Sequence, residues 1–107
     1  MRKALLSVMF GFGLLAAGCG GTDVGHSCTT NSDCSNGLSC NTNQPGGYCT
    51  KGCSVEGSGT ECPGGSVCSS QGGGLLCALV CQGQNDCRAE YECNGVSGSD
   101  QKTCRPK

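Results

Sequence analysis

The stretch CTTNSDCSNGLSCNTNQPGGYC, residues 28–49, contains four cysteines, and the same arrangement occurs twice more along the chain. Successive cysteines are separated by 5, 5 and 8 residues in the first unit, by 8, 5 and 8 in the second, and by 5, 5 and 10 in the third. An acidic residue precedes the second cysteine of every unit: Asp33, Glu61 and Asp86. Such agreement at a regular period indicates internal duplication. We divide this part of the chain into repeats at residues 28–52, 53–80 and 81–107, the last with a short tail.

The chain that follows Cys19 is poor in large apolar side chains. Every Phe and Met lies within the first 12 positions, and there is no Trp. This composition does not supply an ordinary hydrophobic core, and small exported domains of this kind are commonly held together by disulfides. We therefore predict a small disulfide-rich fold of three tandem four-cysteine units, with short β-hairpins and turns and little helix. The third unit lacks turn residues over Arg88–Glu92, which favours a helical turn there.

All repeat cysteines are predicted to form disulfides: Cys28, Cys34, Cys40, Cys49, Cys53, Cys62, Cys68, Cys77, Cys81, Cys87, Cys93 and Cys104. If each unit closes on itself, three connectivities are possible in each. We favour the pairing of first with third and second with fourth, which would staple two short hairpins. The other pairings, and bridges across the three-residue junctions between units, stay open at this point.

The N-terminus has the features of an export signal. Arg2 and Lys3 precede an apolar run over residues 4–15, and small residues then lead to Cys19. A positive start, an apolar run of this length and a small-residue cleavage site define a signal peptide, and the run is too short to span a bilayer. We predict a signal peptide at residues 1–18 and a flexible tether at residues 19–27.

The segment LAAGC, residues 15–19, resembles a bacterial lipobox. The resemblance implies cleavage before Cys19, lipidation of its sulfur and acylation of its new amine. The odd cysteine count agrees, because Cys19 is the one cysteine outside the repeats. Gly20, rather than Asp, after the anchor favours the outer membrane by the same resemblance. The expected location is therefore the bacterial cell envelope, and the alternative is ordinary cleavage that leaves a soluble protein with a spare thiol.

The repeat pattern resembles the Dickkopf N-terminal cysteine-rich region and the cysteine-rich repeats of bacterial lipoproteins. The resemblance is carried by Cys28, the pair Asp33-Cys34, the glycine turn that follows, Cys40 and Cys49. It covers residues 28–104 and implies a disulfide-rich module. The uniform three-unit spacing departs from the animal module, so receptor antagonism is not implied.

Thiol chemistry is the main alternative to disulfides. Cys49 and Cys53, like Cys77 and Cys81, have the Cys-x₃-Cys spacing that zinc sites can use. No Cys-x-x-Cys pair occurs, which argues against zinc and against a redox role. The polar stretch at residues 31–37 does not place the glycine and glutamate that a calcium loop requires. No metal and no cofactor is predicted, and a metal-binding thiol protein stays a minor alternative.

Catalysis and nucleic-acid binding are also disfavoured. His26, the one histidine, lies in the predicted tether, whereas a catalytic histidine must be held rigidly. No catalytic residue is therefore predicted, and the chain is not expected to be an enzyme. After removal of Arg2 and Lys3, five basic residues face eight acidic ones, a net charge of −3, which disfavours nucleic acid.

The most apolar segment outside the signal is LLCALV, residues 75–80. It is interpreted as local core, or alternatively as a contact patch for a protein partner. The residues of this possible partner patch are Leu75, Leu76, Leu79 and Val80. The sequence thus predicts a membrane-anchored, extracytoplasmic binding or adhesion module, with a purely structural envelope protein as the alternative. Its expected partners are the membrane, through the lipid, and an unidentified envelope component.

Overall fold

The fold is taken from a computed structural model that describes residues 23–35, 37–71 and 74–107. The predicted signal peptide and the predicted lipidation site Cys19 lie outside these residues. Within them, the chain consists of six strands and two 3₁₀ turns, with no α-helix. This confirms the prediction of a small disulfide-rich fold with β-hairpins and little helix.

Each cysteine unit contributes one antiparallel hairpin. The strands are β1 (Ser39–Asn41) and β2 (Tyr48–Thr50) in the first unit, β3 (Ser66–Gln71) and β4 (Gly74–Cys81) in the second, and β5 (Tyr91–Gly95) and β6 (Lys102–Pro106) in the third. The two 3₁₀ turns, Asn31–Asp33 and Gln84–Asp86, lie just before the second cysteine of the first and third units.

In every unit the disulfides join the hairpin to the part of the chain that precedes it. The third and fourth cysteines lie directly opposite each other in the hairpin: Cys40 and Cys49, Cys68 and Cys77, and Cys93 and Cys104. The first and second cysteines precede the hairpin and bond across to them; they lie outside the six strands, except Cys81, which is the last residue of β4. The six bridges are Cys28–Cys40, Cys34–Cys49, Cys53–Cys68, Cys62–Cys77, Cys81–Cys93 and Cys87–Cys104. This is the first-to-third and second-to-fourth pairing favoured above, but it staples one hairpin per unit rather than two.

The chain reverses by the same turn after the second cysteine of every unit. A backbone N–H donates to the carbonyl three residues earlier: Leu38 to Ser35, Ser66 to Pro63, and Tyr91 to Arg88. The helical turn predicted over Arg88–Glu92 is therefore wrong. A single turn ends at Tyr91, where β5 begins, and residues 91–95 pair with β6 as a strand.

Strand β4 links the second and third units. The strands form a two-stranded sheet, β1-β2, and a four-stranded sheet in the order β3-β4-β6-β5. Most of β4 pairs with β3, while its last residues, Val80 and Cys81, pair with Thr103 and Lys102 of β6. Gly52, at the end of the first unit, forms an isolated bridge with Leu76 of the same strand. The three sequence repeats are therefore joined through β4.

Half-cystines make up most of the core, together with two tyrosines, Val24 and Leu38. Val24 is only 2% exposed, and Gly25 N–H donates to Cys49 O at 2.9 Å. Cys49 N–H in turn donates to His26 O at 3.0 Å. The prediction that the tether extends through residue 27 is therefore wrong for its described part. Burial of Val24 and pairing with β2 make residues 23–27 part of the folded body.

Candidate functional site

The acidic residues that repeat before each second cysteine are structural. Asp33 accepts hydrogen bonds from Thr29 N–H at 2.9 Å and Thr30 N–H at 3.1 Å. Glu61 accepts from Ser54 N–H at 2.7 Å and from the Ser54 hydroxyl at 2.8 Å. These bonds, chiefly the backbone ones, lower the pKa of both carboxyls, because they favour the charged form. The acid thus fixes the loop after the first cysteine, so its recurrence does not mark a catalytic group.

A cleft of about 290 Å³ lies where the first and third units meet. It is lined by Gly25, His26 and Ser27 from the segment before the first unit, and by Asp86 and Arg88 from the third unit. Tyr48, Leu79, Tyr91 and Cys104 complete the lining. The cleft thus combines residues from all three cysteine units with the segment that precedes the first.

Two buried tyrosines support the cleft. The rings of Tyr48 and Tyr91 are 5.3 Å apart between centroids and tilted by 32°, and neither residue is exposed. Tyr48 Oη accepts a hydrogen bond from Leu79 N–H at 3.0 Å, and the Tyr91 hydroxyl donates to Pro45 O at 2.9 Å. Burial raises the pKa of Tyr48 to about 12 and also raises that of Tyr91. Both phenols therefore stay neutral at physiological pH and act as rigid supports.

A short polar chain beneath the tyrosines holds the units in place. Gln44 Nε2 donates to Gln71 Oε1 at 3.1 Å, and Gln71 Nε2 donates to Cys104 O at 3.1 Å. Both glutamine side chains are buried, and each belongs to a different unit. Because buried polar groups are costly unless they are hydrogen-bonded, this chain fixes the relative position of the units.

Arg88 is the central charged residue of the cleft. Its Nη1 donates to Gly47 O at 2.8 Å and to Gly25 O at 3.1 Å, and its Nη2 donates to Pro45 O at 2.7 Å. Its guanidinium carbon lies 4.8 Å from the centroid of the Tyr91 ring. Among the described residues it forms no ion pair with a carboxylate. The cleft lining therefore carries a half-buried positive charge whose partners are neutral carbonyls and the ring of Tyr91.

Asp86 and His26 give the cleft two more polar groups. Asp86 Oδ2 accepts from Gln82 N–H at 2.7 Å and from Gly83 N–H at 3.3 Å, which holds the second 3₁₀ turn. Its Oδ1 has no hydrogen-bond partner within the part of the chain that the structure describes. The exposed imidazole of His26 is likewise without a partner among those residues. The cleft thus offers one cation, one anion and one imidazole to a ligand.

The leucine-rich segment does not form one surface. It lies in β4, where successive side chains point to opposite faces, so Leu75 and Leu79 share one face and Leu76 and Val80 the other. All four are partly buried, and Leu79 packs against the core and lines the cleft. Each face of β4 therefore carries only two of the four residues of the possible partner patch.

The cysteine sulfurs lie close together within each unit. Three of them lie within 4.8 Å of one another in each of three groups: Cys28, Cys34 and Cys49; Cys53, Cys62 and Cys77; and Cys81, Cys87 and Cys93. Every one of these sulfurs belongs to a disulfide, whereas zinc is bound by thiolates. The proximity follows from the two bridges that leave neighbouring positions of one hairpin.

In comparisons with known proteins, no family model, no curated protein and no solved structure matches this chain. The resemblance to the Dickkopf region therefore stays a prediction from the cysteine spacing. None of the described residues belongs to a helix long and apolar enough to cross a membrane.

Sequence reasoning did not find this cleft. It assigned His26 to a flexible tether and treated Asp86 only as one of three repeated acids. Arg88 had one distinguishing sign: it is the only basic residue between a second and a third cysteine. Its hydrogen-bond acceptors lie 41 to 63 residues away in the chain, so their identity depends on how the units pack.

Proposed function

We propose that this chain is a lipid-anchored, extracytoplasmic binding module of a bacterial cell envelope, without enzymatic activity. The lipobox-like segment ending at Cys19 supports the anchor, and the six disulfides support an oxidising location outside the cytoplasm. Two or three acyl chains on one residue suffice for stable membrane attachment.

The observation that carries the binding role is the cleft, whose lining includes the Arg88 guanidinium without a carboxylate partner among the described residues. Arg88, Asp86 and His26 meet there from separate parts of the chain on a frame held by disulfides. Pockets that bind small ligands combine an apolar lining with a few convergent polar groups. A protein with a purely structural role has no need for such a cleft, which favours binding over the alternative of an inert envelope component.

The anchor is tested by comparing wild-type protein with a Cys19→Ala variant in cells. We expect the wild type to incorporate a labelled fatty acid and to fractionate with membranes, and the variant to do neither. Equal soluble recovery of both proteins would overturn the anchor.

Mass spectrometry of the native protein also tests the minor metal alternative. That alternative requires free thiols with bound zinc, whereas the proposal requires that no repeat cysteine is a free thiol.

The binding role is tested with charge-neutral variants of similar shape. Asp86→Asn keeps an oxygen that can hold the turn at Gln82 and Gly83 but removes the cleft anion. Asp100→Asn, at an exposed site outside the cleft, is the matched control. We expect an envelope ligand that co-purifies with the wild type and the control to be lost from Asp86→Asn. Equal recovery from all three proteins, or from none, would favour the purely structural role.

A further inference from the structure

The ligand of the cleft can be narrowed by its size and charge. A volume of about 290 Å³ lies just below the range for drug-sized ligand pockets, roughly 300–1,000 Å³, so the ligand must be small. Its lining includes groups of both signs, the guanidinium of Arg88 and the carboxylate of Asp86, together with His26. The guanidinium would repel a simple cation, and the carboxylate would repel a simple anion. A small ligand that carries both charges therefore fits this lining best.

Arg88 defines where the anionic half would sit. Its guanidinium is half-buried, donates three hydrogen bonds to carbonyls and lies over the ring of Tyr91, with no carboxylate partner among the described residues. Of its five N–H groups, the one at Nε and one at Nη2 donate to none of these carbonyls. Guanidinium groups favour phosphate and carboxylate oxygens as acceptors. An anion at Arg88 would thus supply the missing counter-charge.

The cationic half has its own partner. Asp86 Oδ1 is unused within the described part of the chain, while Oδ2 is committed to the turn. A primary ammonium has three donors and pairs readily with such an oxygen. The cleft thus suits a compact group with a phosphate at one end and an ammonium at the other.

The position of the cleft relative to the proposed anchor indicates the source of this group. The folded body begins by Asp23, whose carbonyl accepts from His26 N–H at 3.2 Å, directly beside the cleft wall. Only four Cα–Cα steps separate Cys19 from Asp23, a span of about 14 Å at full extension. The headgroup layer of each leaflet is itself about 5–8 Å thick. A lipid on Cys19 would therefore hold this edge of the body against the headgroups.

We propose that the cleft binds the phosphoethanolamine headgroup of a membrane phospholipid, with the phosphate at Arg88 and His26 and the ammonium at Asp86. The proposal rests on the proposed function for the choice of a lipid as source, since the anchor places the cleft at the membrane. Occupancy of the cleft would hold the module in one orientation on the bilayer, in addition to the lipid on Cys19.

The test is a titration of the full mature protein, with its disulfides intact, followed by amide and arginine side-chain NMR shifts. The probes are a short-chain phosphatidylethanolamine, free phosphoethanolamine, ethanolamine and inorganic phosphate. We expect saturable shifts at Gly25, His26 and Arg88 Nε with the first two probes and binding at least roughly tenfold weaker with the last two. Inorganic phosphate that binds as tightly as phosphoethanolamine, or the absence of shifts at these residues, would overturn the proposal.

Three variants test which residues bind phosphoethanolamine. Asp86→Asn and His26→Ala should each weaken phosphoethanolamine binding roughly tenfold, and the control Asp100→Asn should leave it unchanged. Equal affinity of all four proteins would overturn the assignment of the site. Binding of free phosphoethanolamine without binding of the short-chain phosphatidylethanolamine would refute the lipid source. These results do not depend on Cys19, so a failure of the anchor, detected as absent acylation, is distinguishable from a failure of the cleft.

Discussion

Removal of the Arg88 side chain is the sharpest perturbation of the packing between units. Arg88 donates three hydrogen bonds, at 2.7, 2.8 and 3.1 Å, to carbonyls of the first unit and its preceding segment. A hydrogen bond to a charged group contributes about 1.5–3 kcal/mol, and a cation over an aromatic ring about 0.5–1 kcal/mol at exposed sites. Because the three bonds share one half-exposed group, they do not add fully. We expect Arg88→Met to lower the free energy of unfolding by about 3 kcal/mol.

Urea unfolding with the disulfides intact measures this loss. The chain has two tyrosines, and both lie in the interface, so tyrosine fluorescence reports directly on the separation of the units. Arg88→Lys keeps the charge but loses the planar fork, and should lose roughly 1–2 kcal/mol. The control Arg105→Met removes the same charge from β6, where no hydrogen bond from the side chain is seen among the described residues, and should cost less than about 0.5 kcal/mol. Equal, small losses for Arg88→Met and Arg105→Met would refute the proposed clamp.

Three further predictions follow from individual contacts. Backbone hydrogen bonds lower the pKa of Asp33 and Glu61, so the stabilisation of the loops by these carboxylates should be complete at neutral pH and lost as the pH falls through the lowered pKa values. The amide chemical shifts of Thr29 and Ser54 should therefore titrate below the ordinary range of carboxyls, and a midpoint within that range would contradict this. Burial raises the pKa of Tyr48 to about 12, so the contribution of its neutral phenol to the free energy of unfolding should be complete below pH 10 and lost between about pH 10 and 12. Ultraviolet difference absorbance should show that Tyr48 ionises well above pH 10, and ionisation of both tyrosines near pH 10 would argue against the buried pair. At Gly47, with φ +75°, an added Cβ would lie 1.9 Å from Cys28 O, so Gly47→Ala should lower the free energy of unfolding by roughly 2–4 kcal/mol. Gly64→Ala, with open space around the residue, should change it little. Similar midpoints of urea unfolding for the two variants would count against the packing described at Gly47.

The sequence was most informative about the framework. Regular cysteine spacing predicted the disulfide-rich class, and the pairing favoured among the three possible ones in each unit is the one observed. The repeated acid was visible as a pattern, but its role required knowing that its carboxylate reaches the backbone after the first cysteine. The need for glycine at position 47 is evident only from the structure, where the Cys28 carbonyl leaves no room for a Cβ.

The contacts between units could not be predicted from the sequence. Val24 stands among glycines and polar residues, which suggested a tether, yet it is buried by tertiary packing against the half-cystines. The segment Arg88–Glu92 lacks turn residues, and its turn is set by the bridge of Cys93 and by pairing with β6. The cleft depends on three units meeting, so no local pattern near His26, Asp86 or Arg88 specifies it.

Disulfide mapping of the native protein, by proteolysis without reduction and mass spectrometry, tests the central claim most directly. The account predicts six bridges, each closed within one unit, that join the first cysteine to the third and the second to the fourth. Peptides that link Cys28 to Cys34, bridges between different units, or free thiols among the twelve repeat cysteines would contradict it.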